Sequence, residues 1–156
     1  YRIHLPTELE FVLVVFVFMS FILGTVYSFY IHFWWWDLVL HTFAGLSFGF
    51  LGFLILYILY YRKKVTASSI TIVFFAFCFS MATGAVWEII EFVLDHVFNL
   101  TMQRDLSDTM WDMIVNMGGA LIVATFGYIH LKRQKNKILH SLLTRFIKQN
   151  MHLVEG

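Results

Sequence analysis

No charged residue falls between Phe11 and Ile31, and none between Ser69 and Trp87. A helix needs roughly 20 apolar residues to cross a hydrocarbon core, and four stretches are long enough, at about 9–31, 36–61, 69–97 and 108–131. Only helices or closed barrels satisfy the backbone in lipid, and runs this continuously apolar lack the alternation of barrel strands. The expected fold is all-α. Residues 1–131 should form a polytopic integral membrane protein, a four-transmembrane-helix bundle, and 132–156 a basic amphipathic cytoplasmic helix. Composition excludes a soluble domain: 60% of residues are hydrophobic and 13% charged, where soluble chains carry about a quarter charged. The lone Cys78 precludes an intrachain disulfide. The chain opens on Tyr1 and its first segment is too long and too poorly flanked for a signal peptide, so an upstream portion is expected, with room for a missing helix.

Basic residues set the orientation. Arg62, Lys63 and Lys64 fill the loop after the second segment; Lys132, Arg133, Lys135, Lys137, Arg145 and Lys148 follow the fourth; Arg2 precedes the first. These are ten of the eleven Lys and Arg residues, and an even number of crossings brings all three places to one side. The positive-inside rule makes that side, with both termini, cytoplasmic. The loops near 32–36 and 98–107 are then extracytoplasmic. Flanking them are seven of the ten carboxylates, Asp37, Glu88, Glu91, Asp95, Asp105, Asp108 and Asp112, against a single guanidinium, Arg104. Trp34, Trp35 and Trp36 at one edge and Tyr57, Tyr60 and Tyr61 at the other read as aromatic belts. Gly45 and Gly49, and the Gly118-Gly119-Ala120 patch, read as places of close helix approach.

The acids fall on defined helix faces. Asp37 and His41 are four apart; Glu88, Glu91 and Asp95 fall at i, i+3 and i+7; Asp108, Asp112 and Asn116 fall at i, i+4 and i+8. From Asp95 to Glu88 the stripe descends roughly 10 Å at 1.5 Å per residue. A charge facing lipid costs several kcal/mol, so each stripe should face the bundle interior, and ionisable groups at that depth mark a functional site by default.

Several carboxylates in a low dielectric must take up protons or bind cations. Arg104, His41 and His96 are too few to balance them. A divalent ion, or two, held by His41, Glu88, Glu91 and Asp112 would do so, and the oxygen-rich set with one imidazole suits magnesium, manganese, calcium or ferrous iron better than zinc. Competing structural readings apply at several positions. Asp108, in Ser107-Asp108-Thr109, reads equally as a helix N-cap. Asp95 and Asp105 border the outer loop and read equally as solvated, while Asn116 reads also as an interhelical hydrogen-bond donor. His32 and His96 read as interface residues.

The strings Trp36-Asp37-Leu38-Val39-Leu40-His41-Thr42-Phe43-Ala44-Gly45, Trp87-Glu88-Ile89-Ile90-Glu91-Phe92 and Asp108-Thr109-Met110-Trp111-Asp112 resemble the YjdF-like family of uncharacterised bacterial inner-membrane proteins. Asp37-x3-His41, the acidic third helix and Asp112-x3-Asn116-x2-Gly119 are similar to the wider VanZ-like group. The resemblance covers most of 36–120 and implies a multi-pass bacterial inner-membrane protein. It carries no reaction with it.

In the tail, Ile138, Leu139, Leu142, Leu143, Phe146 and Ile147 recur in pairs among Lys137, Arg145 and Lys148, a pattern suited to an anionic leaflet or a partner helix. Membrane lipids are the expected partners, homo-oligomers stay open, and nucleic acid is not expected. Two functions fit the acids. One is a metal-dependent hydrolase or transferase acting on a lipid or lipid-linked substrate at the outer leaflet, with Asp37 or Asp108 as the catalytic carboxylate and general base. The alternative is a cation or proton transporter or channel built on the same cluster. The inner halves of the second and third segments carry no charged residue, which favours a one-sided site over a pathway.

Overall fold

The computed structural model describes residues 7–133, so nearly all of the expected amphipathic tail, 132–156, lies outside the described residues. Among the described residues every regular element is a helix, without strands. Helix α1 (Thr7–Val17) runs into a π-helical stretch, Phe18–Val26; a short helix α2 (Phe29–His32) follows; then come α3 (Trp36–Tyr61), α4 (Ser69–Phe98) and α5 (Leu106–Arg133). Among the described residues, three helices are long and apolar enough to cross a membrane: α3, α4 and α5, the last over Leu106–Lys132. At 1.5 Å per residue each is about 40 Å long.

The first apolar segment differs from a single helix over 9–31. It ends at Val26, with the Tyr27 amide bonded back to the Ile22 carbonyl at 3.0 Å, and Ser28 takes a left-handed backbone (φ 58°) that breaks the helix. The chain then doubles back, seating the Tyr30 ring against Gly24 and its hydroxyl 3.2 Å from Ser20 Oγ. The apolar helical stretch Glu10–Val26 is by itself shorter than a spanning helix.

Helices α3, α4 and α5 pack on one another as a three-helix core. Each presents a row of buried residues at four-residue spacing: His41, Gly45, Gly49 and Phe53 on α3, and Ile72, Ala76, Ser80, Gly84 and Glu88 on α4. On α5 the row is Asp112, Asn116 and Ala120. Backbones touch where the rows carry glycine. A Cβ on Gly45 would run into the Asn116 carbonyl, and one on Gly119 would sit 2.5 Å from the Thr42 carbonyl oxygen. Gly118, its neighbour, faces open space, so only Gly119 and Ala120 of the small patch serve the contact. Two hydrogen bonds tie the three helices at this level: Ser80 Oγ donates to the Gly45 carbonyl (3.0 Å) and Asn116 Nδ2 to the Ser80 carbonyl (3.3 Å). Between this junction and the end bearing Tyr61, Phe53, Leu54, Ile72 and Ala76 are buried together, and His130 of α5 is buried beside Tyr57. The outward faces expose Ile70, Phe74, Val86, Ile89, Leu121 and Ile122, the pattern of a bundle whose solvent is hydrocarbon.

Candidate functional site

At the other end of the three-helix core the rows turn polar. His41 from α3, Glu88 from α4 and Asp112 and Asn116 from α5 are all buried, at 7%, 6%, 2% and 1% exposure. Ligand atoms of Asp37, His41 and Asp112 lie within 4.8 Å of one another. Oxygen ligands sit about 2.3–2.6 Å from calcium and nearer to smaller ions, so atoms this close can share one cation. His41 stands between two acids. Its Nε2 is 3.6 Å from Asp37 Oδ1 and its Nδ1 3.7 Å from Glu88 Oε1, each beyond hydrogen-bond length. Asp112 Oδ1, Glu88 Oε1 and Asn116 Oδ1 are buried without a hydrogen-bond partner. Buried polar atoms are nearly always satisfied, and an orphaned carboxylate oxygen in such a place calls for a proton, a water or a cation.

The loop between α4 and α5 closes over this group. Asp95, near the end of α4, accepts hydrogen bonds from the Met102 and Gln103 amides at 2.8 and 2.9 Å. So held, Gln103 turns its side chain inward, and its Nε2 donates to the Glu88 carbonyl and to Glu88 Oε2, both at 3.0 Å. Arg104 reaches Asp108 Oδ1 at 2.6 Å and Asp37 Oδ2 at 3.8 Å with the same Nη2. The hydrogen bond to Asp108 holds the guanidinium above its ordinary value, so it stays charged. Asp105, just before α5, accepts from the Asp108 amide at 3.0 Å, and Asp108 accepts in turn from the Arg104 amide at 3.2 Å. The helix begins two residues before 108, so Asp105 is the N-cap, and Asp108 in the first turn holds the amide of Arg104, the residue just before the cap.

The residues singled out in the sequence therefore separate into distinct places. Asp37, His41 and Asp112 converge, with Glu88 on the far side of the imidazole. Glu91 is partly exposed, and its Oε1 accepts from Trp87 Nε1 at 2.8 Å; it feels the charges of Glu88, Asp37 and Asp108 without joining the ligand group. Asp95 and Asp105 are occupied with backbone amides. Asn116 forms the floor. Of the three tryptophans, Trp34 and Trp35 are exposed, whereas Trp36 is buried and meets Phe29 edge-on at 4.9 Å. Gln103 and Ser80 were not among the expected site residues. Ser80 lies two helical turns from Glu88 on the same row and was legible by spacing; Gln103 sits in an irregular loop where no periodicity points at it.

Three long apolar helices with a buried acid and histidine cluster at one end define a multi-pass helical membrane protein. Residues 1–133 match the family described as "Predicted membrane protein (DUF2238)", and the chain belongs to that family. It is similar to an uncharacterised protein of Thermotoga maritima, with 27% identity over 130 residues, covering 80% of this chain and 64% of that relative. The chain thus spans just under two thirds of that relative's length. No solved structure matches it.

Proposed function

We propose that Asp37, His41 and Asp112 hold a divalent cation at the extracytoplasmic end of the bundle, and that the protein is a metal-dependent hydrolase or transferase for a lipid or lipid-linked substrate. The observation that carries this is Asp112, 2% exposed, with an unpartnered carboxylate oxygen beside two other ligand-type side chains. In this reading His41 ligates through Nε2, while Nδ1, facing Glu88, is oriented by that carboxylate in the manner of second-shell acids around metal-bound histidines. Glu88 is itself steadied by Gln103. The donor set, carboxylates with one imidazole, suits magnesium, manganese, calcium or ferrous iron. Bound there, the ion would supply Lewis acidity and an activated water. Asp108, at the mouth, is the proposed general base, in a role that needs its contact with Arg104 exchanged for substrate.

The apolar plug of Phe53, Leu54, Ile72 and Ala76 beneath the junction supports a dead-ended site over a conduction pathway. The wider proposal is that α1 with its π-helical continuation, residues 7–26, supplies a fourth crossing, that both termini and the Arg62–Lys64 loop are cytoplasmic, and that the chain is a YjdF-like member of the VanZ-like group in the bacterial inner membrane. The experiment is manganese binding by equilibrium dialysis on detergent-purified wild type and Asp112→Asn. Stoichiometric binding lost in the variant is expected. No binding by wild type, or equal binding by both, overturns the metal assignment.

A further inference from the structure

We infer that Arg104 is the substrate-recognition residue of this site and that the group it recognises is a phosphoryl anion. The inference rests on the metal reading above and selects among its substrates, phosphoryl rather than acyl.

Arg104 is the one lysine or arginine between Lys64 and Lys132, and it sits directly over the acids. Its side chain is 51% exposed and makes both acid contacts through Nη2, so part of a five-donor fork remains open to the outer side. It is also held in place. The Asp95 carboxylate fixes the two residues before it through their amides, and the Arg104 amide is itself bonded to Asp108. A mobile surface arginine would need none of this. Planar guanidinium forks match phosphate oxygens in pairs, which gives both energy and orientation. A phosphoryl group entering from the outer leaflet would meet this fork on one side and the cation bound by Asp37, His41 and Asp112 on the other. An acyl ester is uncharged before reaction and offers the fork no anion to recognise at the entrance. Asp37, shared between Arg104 and the ligand group, couples the two. Arg104 also partly offsets the cluster's charge, without which an anion would be repelled.

The test uses the full chain in phosphatidylcholine nanodiscs with manganese present, and measures radiolabelled inorganic phosphate binding and, separately, competition by nanodiscs doped with phosphatidic acid. Wild type, Arg104→Gln and Arg104→Lys are compared, with manganese content measured in each. Expected is a loss of at least about tenfold in phosphate affinity for Arg104→Gln, the scale of a hydrogen bond to a charged group, with a smaller loss for Arg104→Lys and unchanged manganese content. Competition by phosphatidic acid identifies a lipid headgroup as the source; its failure, with inorganic phosphate still bound, identifies free phosphate. Phosphate affinity unchanged in Arg104→Gln overturns the inference and leaves the metal reading standing. Manganese lost in parallel with phosphate overturns it too, reducing Arg104 to a tether for Asp37 and Asp108. Phosphate binding that depends on Arg104 in a protein holding no manganese upholds the arginine and removes the metal. A wild type that binds neither overturns both.

Discussion

Adjacent glycines on α5 should respond to alanine with opposite signs. On Gly119 an added Cβ would lie 2.5 Å from the Thr42 oxygen, 2.8 Å from the Leu46 nitrogen and 3.1 Å from the Gly45 carbonyl carbon, all backbone atoms of α3 that cannot rotate away. Ordinary contact begins at 3.4 Å, so α5 must withdraw from α3 by roughly 0.9 Å. Overpacking of this kind costs about 1–3 kcal/mol. The withdrawal would also break the fit at the neighbouring Gly45–Asn116 contact and widen the gap that Asp112 and His41 share, two turns further out. Gly118 has nothing within 4 Å, and alanine there should gain the roughly 0.5–1 kcal/mol of backbone entropy that glycine loses in a helix. Thermal unfolding of both variants in one detergent, followed by circular dichroism, decides the matter. A lowered Tm for Gly119→Ala with an unchanged or raised Tm for Gly118→Ala is expected. Equal shifts of one sign would refute the close α3–α5 crossing on which the site's geometry depends.

Three further outcomes follow from the loop and the caps. Asp95→Asn should weaken the grip on the Met102 and Gln103 amides, and hydrogen exchange at these two should speed by about tenfold or more, since bonds to a charged acceptor are worth about 1.5–3 kcal/mol; unchanged protection would mean the loop is held by something else. Asp105→Ala should cost about 0.5–2 kcal/mol through loss of the α5 N-cap, read from denaturant unfolding, and a neutral result would remove the cap assignment. In a Cys78→Ala background, Thr101→Cys should react with a membrane-impermeant maleimide in intact cells and Lys63→Cys only after lysis; the reverse pattern would invert the bundle.

Helical class and the existence of α3, α4 and α5 were legible because uninterrupted apolar runs leave the backbone no other solution in lipid. Much of the cluster was legible for a related reason. His41, Glu88 and Asp112 are polar positions on rows that otherwise carry glycine, alanine and apolar residues at four-residue spacing, and such rows must face one another. The stripe Glu88, Glu91, Asp95 was read as one face, yet it divides. Three steps turn a side chain 300°, sixty degrees off the row, and at a narrow three-helix junction that is enough to send Glu91 to Trp87 at the bundle surface. Asp95 lies beyond the junction, where backbone amides of an irregular loop were available to it. The break at Ser28 had no glycine or proline to announce it; the fit of the Tyr30 ring against Gly24, six residues back, accompanies it and is a tertiary contact. Likewise the start of α5 was displaced because two acids three residues apart, Asp105 and Asp108, both look like caps, and only the hydrogen bonds tell them apart.

Packing and charge in this bundle have a common origin. Glycines at 45 and 119 let the backbones of α3 and α5 touch, and Gly84 admits the Asn116 amide between α4 and α5. Beneath this tight junction Phe53, Leu54, Ile72 and Ala76 pack together. Above it, three helices that must stay close at the glycines carry acids one to two turns further on, where like charges repel. The two requirements pull against each other, because closing the junction concentrates negative charge and relieving the repulsion would splay the helices. Arg104 relieves it only at the rim, 3.8 Å from Asp37. A cation shared by Asp37, His41 and Asp112 would relieve it at the centre and would draw α3 and α5 together just above the Gly45–Gly119 contact. Cation binding should therefore tighten the bundle as well as fill the site. The stabilisation expected from mass action, about 2.7 kcal/mol at a hundredfold excess over Kd, should appear as a manganese-dependent rise in Tm for wild type that is absent from Asp112→Asn. A rise of the same size in both would mean that the ion acts elsewhere on the protein.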